Sequence, residues 1–350
     1  MHNRGFSLIE LMVAMVIGLF VTTVVISVFV SANRSFALDE EFARMQENAR
    51  FAMRVLSDDL SMAGFWGPML TAGSINETAR NCDADGSGAE CQGFYAGSVL
   101  SLTTDCGPGT VTPTPAQWAY SVSSFIEVVK QSTASNANAT YGCIDGSDFQ
   151  EDTDVLVIKR TQGEPLLSTR AESADSGKVF LRSSGAAGML LVYDHADTAS
   201  TSADISDWTY LVHIYYIQNH FATSGDGIPS LFRKTLGGPA GATAMQTEDG
   251  GVAPGIEYFH IMFGIDTNGD GVADAYKSVP TASEIAGAIS ARIYVLARSM
   301  SQDIAYTNNK SYQLGDVTKD FSGSPDNFHR RVFMTTVKIR NQVNRITLSS

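Results

Sequence analysis

The chain begins with MHNRGFSLIELMVAMVIGLFVTTVVISVFV, residues 1–30, and this stretch decides the organisation of the whole protein. A short polar leader precedes an apolar run from Phe6 to Val30. A helix rises ~1.5 Å per residue and needs ~20 apolar residues to cross a bilayer, so this run predicts a membrane-spanning helix. Arg4 lies before the run and little positive charge follows it closely. We therefore expect a cytoplasmic N-terminus and an exported remainder.

One charged side chain, Glu10, interrupts the apolar run near its start. A carboxylate in the bilayer costs ~2.5–3.5 kcal/mol on insertion scales, so it normally has a partner. A removable secretory signal is the alternative, and Val30-Ser31-Ala32 resembles a cleavage site for one. The run is longer than the ~7–15-residue core of such signals, which favours a retained membrane helix.

Gly5-Phe6-Ser7-Leu8-Ile9-Glu10-Leu11 resembles the processing site of type IV pilins and of the pseudopilins of type II secretion. The resemblance implies that a prepilin peptidase cuts between Gly5 and Phe6 and methylates Phe6, while the apolar segment is retained. It also implies that Glu10 pairs with the N-terminal amine of a neighbouring subunit during assembly. A buried carboxylate that faces a buried ammonium is far less costly than either charge alone.

The 350-residue chain is acidic, with a formal net charge of −13. This balance argues against broad electrostatic binding to nucleic acid or anionic lipid, although a local basic patch is compatible with it. We expect no direct contact with nucleic acid.

All four cysteines lie between residues 71 and 150, beyond the membrane segment. An even number of cysteines in an exported region indicates disulfides. Three connectivities exist, and closure between nearest neighbours favours Cys82–Cys91 and Cys106–Cys143. A zinc site is disfavoured because no CxxC pair or interleaved histidine occurs.

The helix is expected to continue past the membrane through residues 31–65 as an amphipathic half. Gly64, Gly67 and Pro68 supply the stop. Apolar residues recur there at steps of three and four, at Leu38, Phe42, Met45, Ala49, Ala52, Leu56, Leu60 and Ala63.

The rest of the chain divides into a loop-rich, cysteine-containing insertion at 71–150 and a β-rich exported domain at 151–350. The predicted fold is α+β, with the long N-terminal helix packed on an antiparallel sheet. The strand-like runs of the second part are Asp154–Arg160, Val179–Arg182, Met189–Tyr193, Tyr210–Gln218, Leu231–Thr235, Ile256–Phe263, Ile289–Arg298 and Val332–Arg340.

The layout resembles PilW-like minor pilins of the type IV pilus. Besides the N-terminal motif, the resemblance rests on Asp58–Phe65 at the helix end, on Gly264-Ile265-Asp266, and on the closing segment Arg330–Asn341. It implies a pilin-like fold and a structural role in the complex that initiates pilus assembly and forms the tip, in support of twitching motility. The implied location is the inner membrane, with the globular part in the periplasm, and later the pilus tip.

The implied partners are other minor pilins, the major pilin, the prepilin peptidase and the inner-membrane assembly machinery. Two alternatives stay open at this point: a minor pseudopilin of a type II secretion system, and a membrane-anchored periplasmic enzyme.

A possible calcium site follows Gly264-Ile265. Oxygen-bearing side chains occupy relative positions 1, 3, 5 and 9, and position 7 is where calcium loops use a backbone carbonyl. Position 12 is Lys277, so the usual bidentate glutamate is missing. The alternative is an acidic turn, because Asn-Gly and Asp-Gly are ordinary hairpin residues. The ligands of the calcium interpretation are Asp266, Asn268, Asp270, Val272 and Asp274.

No catalytic signature is present in the sequence: HExxH, GxSxG and a phosphate-binding loop are all missing. His213 and His220 are expected at the edge of the core, and Asp58 and Asp59 on the solvent side of the helix. We therefore expect a protein that is not an enzyme and whose only candidate cofactor is Ca²⁺.

Overall fold

The computed structural model of the protein describes residues 7–69, 72–81, 98–99, 106–107, 118–144, 146–166, 178–192, 205–237, 244–247 and 250–341. One helix, α1, runs from Leu8 to Met62, which is 55 residues and ~80 Å at 1.5 Å per residue. The chain turns away from the helix at Gly64, whose φ of 69° is a conformation that favours glycine.

The two halves of α1 have different surroundings. The most apolar window of its first half has a mean hydropathy of 2.7 and is entirely exposed, so the helix is long and apolar enough to cross a membrane. The second half buries one stripe against the rest of the protein, as the spacing of its apolar residues predicts. The buried apolar side chains are Met45, Ala49, Ala52, Leu56 and Leu60.

Short strands make up most of the remaining structure. Each of the eight strand-like runs read from the sequence falls on one of them. Two short helices are α2 (Ala134–Thr140) and α3 (Ala282–Ala286). The strands are β1 (Ile75–Asn81), β2 (Ser98–Val99), β3 (Ile126–Ser132), β4 (Thr153–Thr161), β5 (Val179–Ser183), β6 (Gly188–Val192), β7 (Ser206–Gln218), β8 (Ser230–Gly237), β9 (Ala244–Thr247), β10 (Ala253–Pro254), β11 (Ile256–Ile265), β12 (Ala275–Lys277), β13 (Ala288–Arg298), β14 (Ser311–Leu314), β15 (Val317–Asp320) and β16 (Arg330–Lys338).

Within the described residues these strands form two main sheets and one hairpin. The first sheet has ten strands, seven of which follow the path β10-β8-β7-β5-β6-β1-β2. Of the other three, β4 pairs with β7 and with β3, and β9 pairs with β8. The second has four strands in the order β12-β11-β13-β16, and β14 pairs with β15. Helix α1 packs mainly on β13 and β16, and β11 packs on β4, β7 and β8 of the larger sheet. The fold class is α+β, as predicted.

The segment 71–150 is part of this architecture and contributes strands to the larger sheet. Strand β3 pairs antiparallel with β4, and β1 pairs with β6. The second pairing is parallel, which the expectation of an antiparallel sheet did not include. The sequence of β1, INETARN, has little apolar character, so its pairing partner could not be read from it.

A disulfide joins Cys106 to Cys143, with Cα atoms 5.1 Å apart. This is one of the two bridges expected from the sequence. Cys106 is fully buried, and Cys143 packs against the hydrophobic core a short distance after α2. The other expected bridge involves Cys82 and Cys91, which lie outside the described residues.

Candidate functional site

The exposed apolar half of α1 is the first part of the candidate site. Glu10 lies in its first turn, and its carboxylate accepts a hydrogen bond from the Ser7 backbone N–H at 2.9 Å. A negative charge is favoured there because the unpaired N–H groups make a helix N-terminus electropositive. Gly5 and Phe6, the residues of the predicted cleavage site, lie outside the described residues. The arrangement places one carboxylate at the start of an apolar surface that nothing in the described chain covers.

A buried polar junction fixes the other end of α1 to the larger sheet. The Asp59 carboxylate accepts hydrogen bonds from Arg160 Nε at 2.9 Å and Nη2 at 2.6 Å. Its second oxygen lies 2.5 Å from His213 Nδ1 and accepts the Tyr215 hydroxyl at 2.5 Å. Burial raises the pKa of Asp59, but the hydrogen bond and charge of His213 and the charge of Arg160 outweigh it and hold the pKa well below its ordinary value.

This junction corrects the expectation that Asp59 is solvated. Its neighbour Asp58 is indeed exposed and pairs with Arg54 one turn earlier, but Asp59 is only 3% exposed. The sequence did contain a signal, because Asp59 lies three residues after Leu56 and so belongs to the buried stripe. His213, expected at the core edge, is buried as the partner of Asp59.

A second polar cluster joins the two sheets. Asp154 on β4 lies 3.0 Å from Lys130 Nζ on β3, and His260 Nδ1 on β11 lies 3.1 Å from Asp154 Oδ2. Asp154 also accepts the Ile261 backbone N–H at 3.0 Å. Burial lowers the pKa of Lys130, and the Asp154 charge opposes that shift. Burial raises the pKa of Asp154, but the hydrogen bond of His260 and the charge of Lys130 outweigh it and lower the pKa.

The outer end of this cluster does not have the geometry of a hydrolase triad. His260 Nε2 lies 2.8 Å from Asp316 Oδ1, and the Ser278 hydroxyl donates to Asp316 Oδ2 at 2.5 Å. The serine therefore faces a carboxylate, whereas nucleophile activation needs the hydroxyl to face the imidazole. We interpret the cluster as a structural contact between the sheets and the β14–β15 hairpin.

The acidic loop between β11 and β12 turns its side chains onto its own backbone. Asp266 accepts the N–H groups of Gly269 at 2.7 Å and Gly271 at 2.8 Å, and Asp274 accepts that of Thr267 at 2.8 Å. Both glycines have positive φ, near 80°, as the tight loop requires. In the described part of the chain no three His, Cys, Asp or Glu side chains are grouped to hold a metal ion. Calcium binding by this loop stays a prediction.

Two family models match the chain. The model for prokaryotic N-terminal methylation motifs matches residues 1–26, which include Glu10 and most of the apolar span. The model for type IV pilus assembly protein W, PilW, matches residues 214–341. Together the two matches support a PilW-like minor pilin of the type IV pilus. No curated protein and no solved structure matches it significantly.

The PilW match covers the part of the fold on which α1 lies. It begins within β7 and includes β11, β13 and β16. At its end, the Asn341 side-chain amide donates to the backbone carbonyls of Met62 at 3.1 Å and Ala63 at 3.0 Å. These carbonyls belong to the helix terminus, where intrahelical donors are missing. The matched segment of this PilW-like chain thus caps the helix that the methylation motif begins. Both matches point to a structural protein.

Proposed function

We propose that this PilW-like chain is a minor pilin that joins other minor pilins in the complex that starts pilus assembly and then stays at the tip. The observation that carries the proposal is the position of Glu10 at the start of an exposed apolar helix that is continuous with the globular part. An apolar helix of this kind is stable in a bilayer or against other apolar helices. The methylation motif supports packing against the apolar helices of other pilins in addition to membrane anchoring.

The proposed mechanism begins in the inner membrane, with the N-terminus cytoplasmic and the globular part periplasmic. Prepilin peptidase cuts between Gly5 and Phe6 and methylates Phe6. Glu10 then pairs with the N-terminal amine of a neighbouring pilin as the helices pack, because an unpaired carboxylate among apolar helices is costly. The partners are other minor pilins, the major pilin and the inner-membrane assembly machinery, and twitching motility follows from having pili.

The PilW match favours the pilus over a type II secretion system as the setting of this mechanism. A periplasmic enzyme finds no support in the described side chains, because the polar clusters at Asp59 and Asp154 link elements of the fold to one another.

The proposal is tested on protein taken from cells that make pili. Mass spectrometry of the membrane fraction and of sheared pili should find the same chain, starting at N-methylated Phe6. A start at Asn33, after the Val30-Ser31-Ala32 site, would show a removed secretory signal and would overturn the proposal. A correctly processed chain that is never found in sheared pili would contradict the tip location alone.

A further inference from the structure

One end of the globular part lies at the level where α1 leaves the membrane. Arg34 Nη2 donates to both carboxylate oxygens of Asp303, at 3.0 Å to Oδ1 and 3.1 Å to Oδ2. These bonds connect the loop after β13 to the helix. Arg34 follows Val30, the end of the apolar run, by four residues, or ~6 Å along the helix. The headgroup layer of each leaflet is ~5–7 Å thick. With Val30 at the edge of the hydrocarbon, Asp303 therefore lies among the headgroups.

The residue after Asp303 is the most exposed large apolar side chain in the described chain. Ile304 is 92% exposed, more than any residue of the apolar span itself. Water surrounds this side chain in the isolated subunit, so its burial against an apolar phase would be favourable. An exposed apolar residue at this level needs a partner that is found at this level.

The loop that carries Ile304 is held firmly. The Asp303 carboxylate accepts the Ala305 N–H at 3.1 Å and lies 3.2 Å from His329 Nε2. The Tyr306 ring stacks on the His329 ring with 3.9 Å between centroids. On the helix side, Glu41 accepts the Met300 N–H at 3.2 Å and the Ser301 hydroxyl at 3.1 Å. Ile304 is thus presented outward by a fixed loop.

A second exposed apolar side chain lies ~3 Å further along the helix than Arg34, and helical side chains tilt back toward the N-terminus, here toward the membrane. Phe36 is 73% exposed and lies two residues past Arg34. At 100° per residue it points away from the Arg34 side of the helix, so Phe36 and Ile304 flank the helix on different sides. Phenylalanine is among the residues that interfacial helices bury at the headgroup boundary, and arginine is among the residues that anchor a helix at the interface.

We propose that the loop Ser301–Tyr306 rests on the phospholipid surface of the membrane that α1 spans, with Ile304 inserted among the headgroups. The contact continues the membrane span without a gap, and together with Phe36 it fixes the tilt of the globular part against the bilayer. Inclusion in a pilus requires the contact to break. The inference rests on membrane anchoring through α1, which is part of the proposed function.

The test places a fluorescent reporter at Ile304 in the full chain. Variants Ile304→Trp and Val279→Trp are incorporated singly into phosphatidylcholine nanodiscs, with or without bromine on the lipid acyl chains. Val279 is a matched control, because it is 75% exposed but follows β12 at the opposite end of the sheet. The two ends are separated by the length of β13, which is ~35 Å for 11 residues. The unsubstituted chain gives the background of the native tryptophans.

The added emission of Ile304→Trp should be blue-shifted and quenched by brominated lipid, and that of Val279→Trp should not. Equal quenching of the two variants, or none in either, overturns the inference. A tryptophan can itself favour the membrane, so the unsubstituted chain is also labelled with a phospholipid that carries a photoreactive group near its glycerol. Labels should map to residues 299–306 and be missing from residues 271–284, and the reverse pattern contradicts the contact.

Incorporation into the discs separates this inference from the proposed function. A chain that fails to enter them lacks the membrane anchor, which overturns both. A chain that enters them with Ile304 unquenched and unlabelled overturns the surface contact alone. With one chain per disc, a second copy cannot account for burial of the reporter. If Ile304 becomes covered only when several chains share a disc, a neighbouring subunit covers it, and the lipid assignment is contradicted.

Discussion

Asp59 near the end of α1 and Arg160 on β4 form a buried ion pair through two hydrogen bonds, of 2.9 and 2.6 Å. The pair connects the last turns of the helix to the larger sheet, and Glu10 lies in the first turn at the opposite end. Glu10 and Asp59 are 49 positions apart, which is ~74 Å along one continuous helix. Asp59 is thus one of the contacts that hold the end of α1 opposite Glu10 on the globular part.

Loss of the Asp59 carboxylate should destabilise the globular part strongly. Asp59→Ala leaves Arg160 buried without its partner, and removal of one member of a buried pair costs about 3–5 kcal/mol. Thermal unfolding of the full chain in detergent, followed by circular dichroism, should show a clearly lower Tm. Asp58→Ala is the matched control, because Asp58 is exposed and should change stability by no more than about 0.5 kcal/mol. Equal effects of the two substitutions would contradict the junction.

The same junction should make the protein sensitive to acid. The folded pKa of Asp59 is below its ordinary value of 3.8, so in the interval between the two values the unfolded chain binds more protons than the folded one. Stability from this group is present above pH ~4 and decreases as the pH falls below it. Tm measured between pH 6 and pH 3 should fall more steeply in the parent chain than in Asp59→Asn. Parallel curves for the two chains would show that Asp59 does not contribute.

The Cys106–Cys143 disulfide should stabilise the part of the chain that precedes β4. It closes a loop with a sequence separation of 37, for which chain entropy gives about 3–4 kcal/mol. The double substitution Cys106→Ser and Cys143→Ser should lower Tm accordingly in oxidising buffer, and reductant should then lower Tm further by less than it does in the parent chain. Peptide mapping without reduction should recover the Cys106–Cys143 peptide pair, and we also expect a Cys82–Cys91 pair. Recovery of cross-paired peptides would contradict both bridges.

Calcium should raise the Tm if the loop from Asp266 to Asp274 binds it. A ligand that binds only the folded state stabilises by RT ln(1 + [L]/Kd), or about 2.7 kcal/mol at a hundredfold excess over Kd. The Tm of the full chain in millimolar calcium should then exceed that in EDTA, and Asp270→Ala should abolish the difference. Magnesium should substitute poorly, because it demands tighter octahedral geometry. Equal Tm values in calcium and EDTA would leave the loop as a hydrogen-bonded hairpin turn.

The local features of the fold were readable from the sequence, and the contacts that hold it together were not. The spacing from Leu38 to Ala63 predicted the buried stripe of α1, because a helix repeats its faces every 3.6 residues. The pairing of Asp59 with His213 and the approach of Asp154 to His260 join residues more than 100 positions apart. No local pattern in the sequence specifies such partners. The adjacent carboxylates of Asp58 and Asp59 instead suggested that both face the solvent.

The residues of the candidate site and of the proposed membrane contact divide in the same way, into those found from the sequence and those found only from the fold. The residues around Glu10 form a motif of fixed spacing in one apolar helix, so the sequence was sufficient to find them. Ile304 and Arg34 come from distant segments, and only the path of β13 back along α1 brings them to one level. A single isoleucine in a polar loop carries no periodic signal, and its exposure can be known only from the fold.

Glu10→Ala in a piliated strain tests the central claim most directly. Glu10 lies far from the sheets, so the substitution should leave the globular part folded and change only how one apolar helix meets another. Pili are counted by electron microscopy in cells that express the variant at native level, with membrane amounts checked by immunoblot. Glu40→Ala is the control, because Glu40 is an exposed carboxylate on the same helix beyond the apolar run. The account predicts normal membrane levels in both strains, and a marked loss of pili with Glu10→Ala alone. Normal piliation with Glu10→Ala at native level would contradict the role of this carboxylate in assembly.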